Sequence, residues 1–280
     1  MKKLTIRDLQ NMKVRGEPIA VATAYDYVTT KLVEAAEIEV VLVSDWGIAT
    51  TLLGYPSALQ VKWDEVLFYL KAVTRLVEHA FIVGAMPFGS HNVSNVEAVR
   101  NAALLMKAGA DAVKLEGAGQ MVERVRAISQ TGIICVAHLG ATPQLVKQLG
   151  ALPQVGQTAE DAAQLLKDAE LLEDAGAFAL ILDGVPDRVA EVIARKTKLI
   201  TIGAEGTAGC DGQMLTTHSI LGMPEAVPSL FSSHYANFYD RMLAAVNAWA
   251  AEVRSLQFPT KKQTFTIPDE EFQRFLDMLS

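Results

Sequence analysis

Residues 178–184 read Phe-Ala-Leu-Ile-Leu-Asp-Gly: an unbroken apolar run, one carboxylate, one glycine. A strand with one face in water alternates apolar and polar residues, whereas a strand covered on both faces reads as a continuous apolar run. Just ahead, Thr158 to Ala175 places apolar residues at helical spacing. It ends in Ala175-Gly176-Ala177, with a glycine where a helix stop is expected. Upstream the same sequence of events recurs. Ser94 to Ala108 has helical spacing, Ala108-Gly109-Ala110 stops it, and AVKLEG (112–117) follows as a strand that again ends in an acid and a glycine. Helix, glycine stop, buried strand and strand-end acid make the repeating unit of a parallel α/β sheet.

Working outward, further candidate strands are Ile19 to Tyr25, Val40 to Asp45, Phe81 to Pro87, Ile133 to Gly140, Leu199 to Ala204 and a short Ala226 to Phe231. Eight strand–helix units in one direction predict a (β/α)₈ TIM barrel, an α/β fold that typically takes about 250 residues; the chain has 280. No linker rich in Pro, Gly or Ser divides it. The expected organisation is a barrel catalytic domain over residues 1–256 and a C-terminal helical extension over 257–280. In the extension, Pro268-Asp269-Glu270-Glu271 puts acids at the positive end of a helix dipole. Phe272, Phe275, Leu276 and Met278 form an apolar stripe that docks on the barrel's own flank or on a neighbouring subunit.

Composition narrows the function classes. Apolar residues make up 50% of the chain and charged ones 20%, enough for a large core. No run of about 18 uncharged apolar residues occurs, which argues against a membrane span. A net charge of −7 argues against a nucleic-acid partner, whose binding domain would be basic. Two cysteines, Cys135 and Cys210, are too few for a disulfide scaffold, and the MKKLTIRDLQ start has no apolar signal region. The expected location is the cytoplasm.

In such a barrel the chemistry lies at the C-terminal ends of the strands. The polar residues there are Tyr25 and Asp26, Ser44 and Asp45, Lys114 and Glu116, His138, Asp183, and the glycine-rich stretch from Gly203 to Gly212. Strand three, ending Gly84-Ala85-Met86-Pro87, offers no polar side chain. Asp45 and Glu116 could share Mg²⁺, a hard cation that takes one or two carboxylates and completes its shell with water and substrate; helix capping or ion pairing is the plainer role. Lys114 shares a strand face with Glu116, so the two form an ion pair or divide between substrate and metal. His138 binds a substrate oxygen and relays protons, or caps the helix starting near Thr142. Asp183, raised on an apolar strand, is a candidate general base or the cap of the helix starting near Pro186. The glycines could cradle an anion, although their spacing matches no phosphate loop.

Taken together, TAYDY (23–27), VSDWG (43–47), VKLEG (113–117), HLGATPQ (138–144), LILDGVP (180–186) and CDGQML (210–215) are specific. The chain resembles the ketopantoate hydroxymethyltransferase family of the pantothenate pathway, within the phosphoenolpyruvate mutase and isocitrate lyase group, from Leu4 to about Phe265. The resemblance implies an Mg²⁺-dependent barrel enzyme acting on a branched 2-oxo acid. A base removes the proton on carbon 3, and the carbanion attacks a one-carbon unit from 5,10-methylenetetrahydrofolate. Carried over by motif, Asp45 and Glu116 match metal-site acids. Lys114 and His138 match substrate-contacting residues, His138 with a catalytic part, and Asp183 falls at the general base. Tyr25, Ser44 and Trp46 fall on the substrate pocket. The family also implies a homo-oligomeric ring, decamers included.

Departures are concentrated in the same pocket. Where the family has an aspartate on strand three this chain has Ala85, and where it has a serine holding the substrate carboxylate this chain has Trp46. Asp183 stands for a glutamate, Gln157 for an arginine, and the glycine loop is two residues longer. Two alternatives to the family reaction follow: other C–C bond-forming or lyase chemistry on a different 2-oxo acid, or a homologue that binds a ligand without turning it over.

Overall fold

Eight parallel strands close into a barrel in chain order in the computed structural model, which describes residues 2–145, 147, 155–224 and 233–280. They are β1 (Ile19–Thr23), β2 (Val40–Val43), β3 (Phe81–Ala85), β4 (Ala112–Glu116), β5 (Ile134–Gly140), β6 (Ala177–Asp183), β7 (Ile200–Ala204) and β8 (Gly212–Leu215). The expected (β/α)₈ barrel is therefore present. The two glycine stops work as read: Gly109 and Gly176 have φ of +101° and +99°, a conformation open to glycine at little cost. The helices before them span Asn95–Lys107 and Ala159–Asp174, each capped by the side chain of the preceding residue, Ser94 or Thr158.

The barrel is closed by a strand that the sequence reading placed elsewhere. The expected eighth strand, Ala226 to Phe231, lies outside the described residues. Gly212–Leu215, whose first residue ends the glycine-rich stretch Gly203 to Gly212, pairs with both β7 and β1. Its glycine has a steric cause: a Cβ on Gly212 would lie 2.2 Å from the Ile19 carbonyl oxygen. A strand glycine here marks close backbone approach rather than a loop.

Strand side chains alternate between two cores. One set, including Val41, Ile82, Leu115, Leu180 and Leu182, packs with helix residues such as Leu70, Leu105, Ile128 and Leu172. The other set, including Ile19, Val40, Phe81, Val83, Ala112, Val136, Ile181 and Ile200, fills the barrel interior and meets Leu9 of the helix Ile6–Arg15. Following the inward set one or two steps along each strand reaches Ala85, Lys114, Glu116, His138 and Asp183, because successive inward residues are two apart. The fold thus delivers the polar strand-end residues into one chamber above an apolar floor.

The chain forms two compact units, Met1–Tyr235 and Ala236–Ser280. The second contains the helices Phe238–Arg254 and Asp269–Asp277. The boundary expected after residue 256 lies beyond the first of these helices. As read, Asp269, Glu270 and Glu271 occupy the first turn of the last helix. Among the described residues, no helix is long and apolar enough to cross a membrane.

Candidate active site

Five of the sequence-selected residues form one buried network. Lys114, on β4, directs Nζ 2.7 Å from Glu116 Oε1, 3.4 Å from His138 Nδ1 and 3.7 Å from Asp45 Oδ1. His138, on β5, lies with Nδ1 3.5 Å from Glu116 Oε1 and Nε2 3.5 Å from Asp183 Oδ2. Relative exposure runs from 0% at Asp45 to 7% at Asp183, so each charge is stabilised by its neighbours rather than by water. The Lys114–Glu116 ion pair is present. The Asp183 capping alternative is not: the helix after β6 has Pro186 at its N-cap, without a side-chain bond from Asp183.

Burial acts against every charge here, and the partners decide which survive. For Glu116, burial is outweighed by Lys114 and His138, which hold its carboxyl well below the usual range. For Asp45, burial wins over the more distant Lys114, aided by repulsion from Glu116, and its carboxyl rises. A proton entering the pair of acids therefore goes to Asp45. Burial and Lys114 both disfavour the His138 imidazolium, yet contacts with Asp183 and Glu116 overcome them and raise its pKa. Lys114 loses to burial less than it gains from Glu116 and Asp45, and remains an ammonium.

Gln144 had no role in the sequence reading and is the residue that ties the site together. The turn Pro143–Leu145 after β5 carries it into the chamber, 3% exposed. Its backbone N–H donates to Glu116 Oε2 at 3.0 Å, and Nε2 donates to Asp45 Oδ2 at 2.7 Å and to the Met86 carbonyl at 2.9 Å. The available sign was its position closing HLGATPQ, four residues past the strand-end Gly140.

Other selected residues build the walls. Ser44 caps the turn Asp45–Gly47, accepting from the Gly47 N–H at 3.5 Å. Tyr25 is fully buried with its hydroxyl against Gly47, where a Cβ would lie 1.6 Å from that oxygen; this accounts for the glycine of VSDWG. Trp46 is half-buried, and its carbonyl accepts from the Thr50 hydroxyl at 2.9 Å. Asp26 caps the helix Tyr27–Ala35 in a capping box with Thr29, the bland role.

The unmatched atoms of the donor set bear on magnesium. Asp45 Oδ1, Gln144 Oε1 and Asp183 Oδ1 are buried acceptors with no hydrogen-bond partner, each costing about 1–3 kcal/mol if left so. Glu116, by contrast, has both oxygens occupied. Among the described residues no three His, Cys, Asp or Glu side chains converge as a metal cage. Magnesium does not need one: it binds through one or two protein carboxylates plus water and substrate. The residues fit a cation that takes Asp45 as its carboxylate ligand.

The family model described as ketopantoate hydroxymethyltransferase matches residues 3–261. A 3-methyl-2-oxobutanoate hydroxymethyltransferase of Ignicoccus hospitalis is 44% identical over 259 residues, covering 92% of this chain and 98% of its own. Its counterpart in Koribacter versatilis is 38% identical, covering 99% and 94%. Among solved structures, phosphonopyruvate hydrolase with oxalate and Mg²⁺ aligns at a TM-score of 0.62 and 14% identity, covering 100% of this chain and 97% of that one. A 2,3-dimethylmalate lyase aligns at 0.59 and 14%, covering 98% and 99%. These two share the fold. On the sequence matches, which span nearly its whole length, the chain belongs to the ketopantoate hydroxymethyltransferase family of transferases.

Proposed function

We propose that this protein forms an enolate from a small branched 2-oxo acid and adds a hydroxymethyl group to carbon 3. The substrate is of the 3-methyl-2-oxobutanoate type, and the one-carbon donor is 5,10-methylenetetrahydrofolate. The observation that carries the reading is Asp183. Its Oδ1 is buried and unmatched at the end of an apolar strand, while Oδ2 lies 3.5 Å from His138 Nε2. A carboxylate held in that way has one oxygen free to take a proton and the other steadied by a cation.

Asp183 removes the proton on carbon 3. His138, its pKa raised against burial by Asp183 and Glu116, lies beside the base and can return a proton to the product. Lys114 faces the oxygens of the anionic substrate, and Glu116 fixes the direction of that ammonium. Magnesium at Asp45 would supply Lewis-acid stabilisation of the developing enolate oxygen. The carbanion attacks the methylene carbon, both carbon–nitrogen bonds to the folate break in turn, water supplies the new hydroxyl, and the two freed nitrogens take up the proton from carbon 3 and the one left by water. The protein acts in the cytoplasm as a homo-oligomer.

A second reading is supported by Ala85 and Trp46, which change both metal and carboxylate anchoring relative to the family pattern. It keeps enolate chemistry and changes the 2-oxo acid or the C–C bond made or broken. Incubation in D₂O with a panel of 2-oxo acids, with and without Mg²⁺, separates the two by NMR. Deuterium entering carbon 3 of 3-methyl-2-oxobutanoate supports the first, and exchange only with another acid supports the second. Exchange with none overturns both in favour of a binding role.

A further inference from the structure

We propose that Gln144 is itself a ligand of the divalent cation, its amide oxygen serving beside Asp45 Oδ1 where β3 supplies no acid; this rests on the metal-assisted reading above. The orientation of the amide is fixed by its partners. Both Nε2 protons are used, one on Asp45 Oδ2 and one on the Met86 carbonyl. Exchanging nitrogen and oxygen would set an oxygen against a carboxylate and a carbonyl, so only one orientation satisfies the network.

Gln144 Oε1 is thereby left buried with no donor. Asp45 Oδ1 likewise accepts no hydrogen bond, with the Lys114 ammonium 3.7 Å away. Two groups joined by a 2.7 Å hydrogen bond each present an oxygen that accepts no hydrogen bond, and neither oxygen can satisfy the other. A carboxylate oxygen and a neutral amide oxygen are the kinds of donor that hard divalent cations accept. The position follows from β3. Ala85 is its last residue, fully buried and on the inward set, and has no donor atom. The Gln144 amide is anchored one residue further, at Met86.

The charge count gives the site a character of its own. An amide adds no negative charge, Glu116 is engaged by Lys114, and the Lys114 ammonium lies 3.7 Å from Asp45 Oδ1. One partly neutralised carboxylate and one amide bind a divalent cation weakly. The anionic substrate must complete both the shell and the charge, so metal and 2-oxo acid bind cooperatively.

Mn²⁺ titration followed by the EPR signal of the free ion tests this, with and without 3-methyl-2-oxobutanoate and with circular dichroism as the check on folding. The wild type is expected to bind Mn²⁺ at least tenfold more tightly with the 2-oxo acid present. Gln144→Met should weaken that binding at least tenfold. Gln144→Glu, which keeps the oxygen and loses the N–H donors, should match or exceed the wild type, and Ala85→Asp added to Gln144→Met should restore binding. Unchanged affinity in Gln144→Met overturns the ligand role and leaves the metal reading standing. Gln144→Glu as weak as Gln144→Met also overturns it, by showing that the N–H bond to Asp45 was what mattered. A wild type that exchanges carbon-3 deuterium yet binds no Mn²⁺ under any condition defeats the metal reading itself.

Discussion

The lower and upper halves of the barrel interior occupy the same inward positions of the same strands, about 7 Å apart along each strand, and their chemistry is opposite. Below, Ile19, Val40, Phe81, Ala179 and Ile200 enclose a small cavity with Leu9 as its floor, and no polar atom lines it. Above, Ala112 gives way to Lys114 and Glu116, Val136 to His138, and Ile181 to Asp183. The lower half is held by area removed from water, which is gained and lost a methylene at a time. The upper half is held by pairing, where losing one partner leaves another buried and unmatched. Perturbations should therefore be graded below and abrupt above.

The largest effect should come from Asp183→Asn. It removes the base and leaves the shape, so turnover should fall about 10²–10⁴-fold. Its thermal midpoint should fall only modestly: Oδ1 has no partner to lose, but His138 Nε2 loses the charged Oδ2 3.5 Å away. Deuterium exchange at carbon 3 is the direct measurement, and an undiminished rate would take Asp183 out of the role.

Next in size is Lys114→Met, which strips the countercharge from Glu116 and Asp45. Breaking a buried pair in this way should cost about 3–5 kcal/mol in urea unfolding. Adding Glu116→Gln should recover part of that loss, since the two residues contact directly at 2.7 Å and their effects cannot add. A single-mutant cost under about 1 kcal/mol, the scale of a solvated surface pair, would erase the contrast between the halves.

What was legible in the sequence divides along the same line. The lower half is a matter of apolar periodicity, and FALILDG or AVKLEG shows it without neighbours. Asp183, Lys114, Glu116 and His138 were legible as strand-end polar groups because the fold class says where strands deliver them. Gln144 was not: its role exists only because Asp45, Glu116 and Met86, on three other parts of the chain, arrive around one amide. β8 was misplaced for a related reason. Gly212-Gln213-Met214-Leu215 lacks an apolar run, and the need for a glycine arises from Ile19 across the barrel seam.

Two buried histidines of the upper half sharpen the comparison through pH. His91, in the loop after β3, is fully buried with Nε2 unmatched, and burial pushes its pKa down to about 4. The unfolded chain then binds a proton from about pH 6.5 downward that the folded chain refuses, so stability falls by roughly 3 kcal/mol between those two values as pH drops. His91→Gln should flatten that part of the profile. His138, raised by its carboxylate neighbours, has the reverse sign: its contribution is present below about pH 6.5 and is lost as pH rises through its higher folded value. Thermal midpoints from pH 4 to 8 should show opposite slopes removed by His91→Gln and His138→Gln. Parallel changes in the two variants would mean that partners do not set the charge state here.

The smallest effect probes the lower half alone. Val83 lines the apolar cavity, of about 30 Å³, on the inward set of β3 and two residues below Ala85. Val83→Ile adds one methylene on a β-branched side chain suited to a strand, and burying it is worth about 0.8 kcal/mol where space exists. The thermal midpoint should rise by about 2 °C for a chain of this size, with turnover and Mn²⁺ affinity unchanged. The last condition carries the argument. If a methylene placed at Val83 alters metal binding two residues above it, packing is transmitted along β3 and the halves are one mechanical unit. If it does not, the apolar floor is a support whose volume can be changed while the charged chamber keeps its geometry.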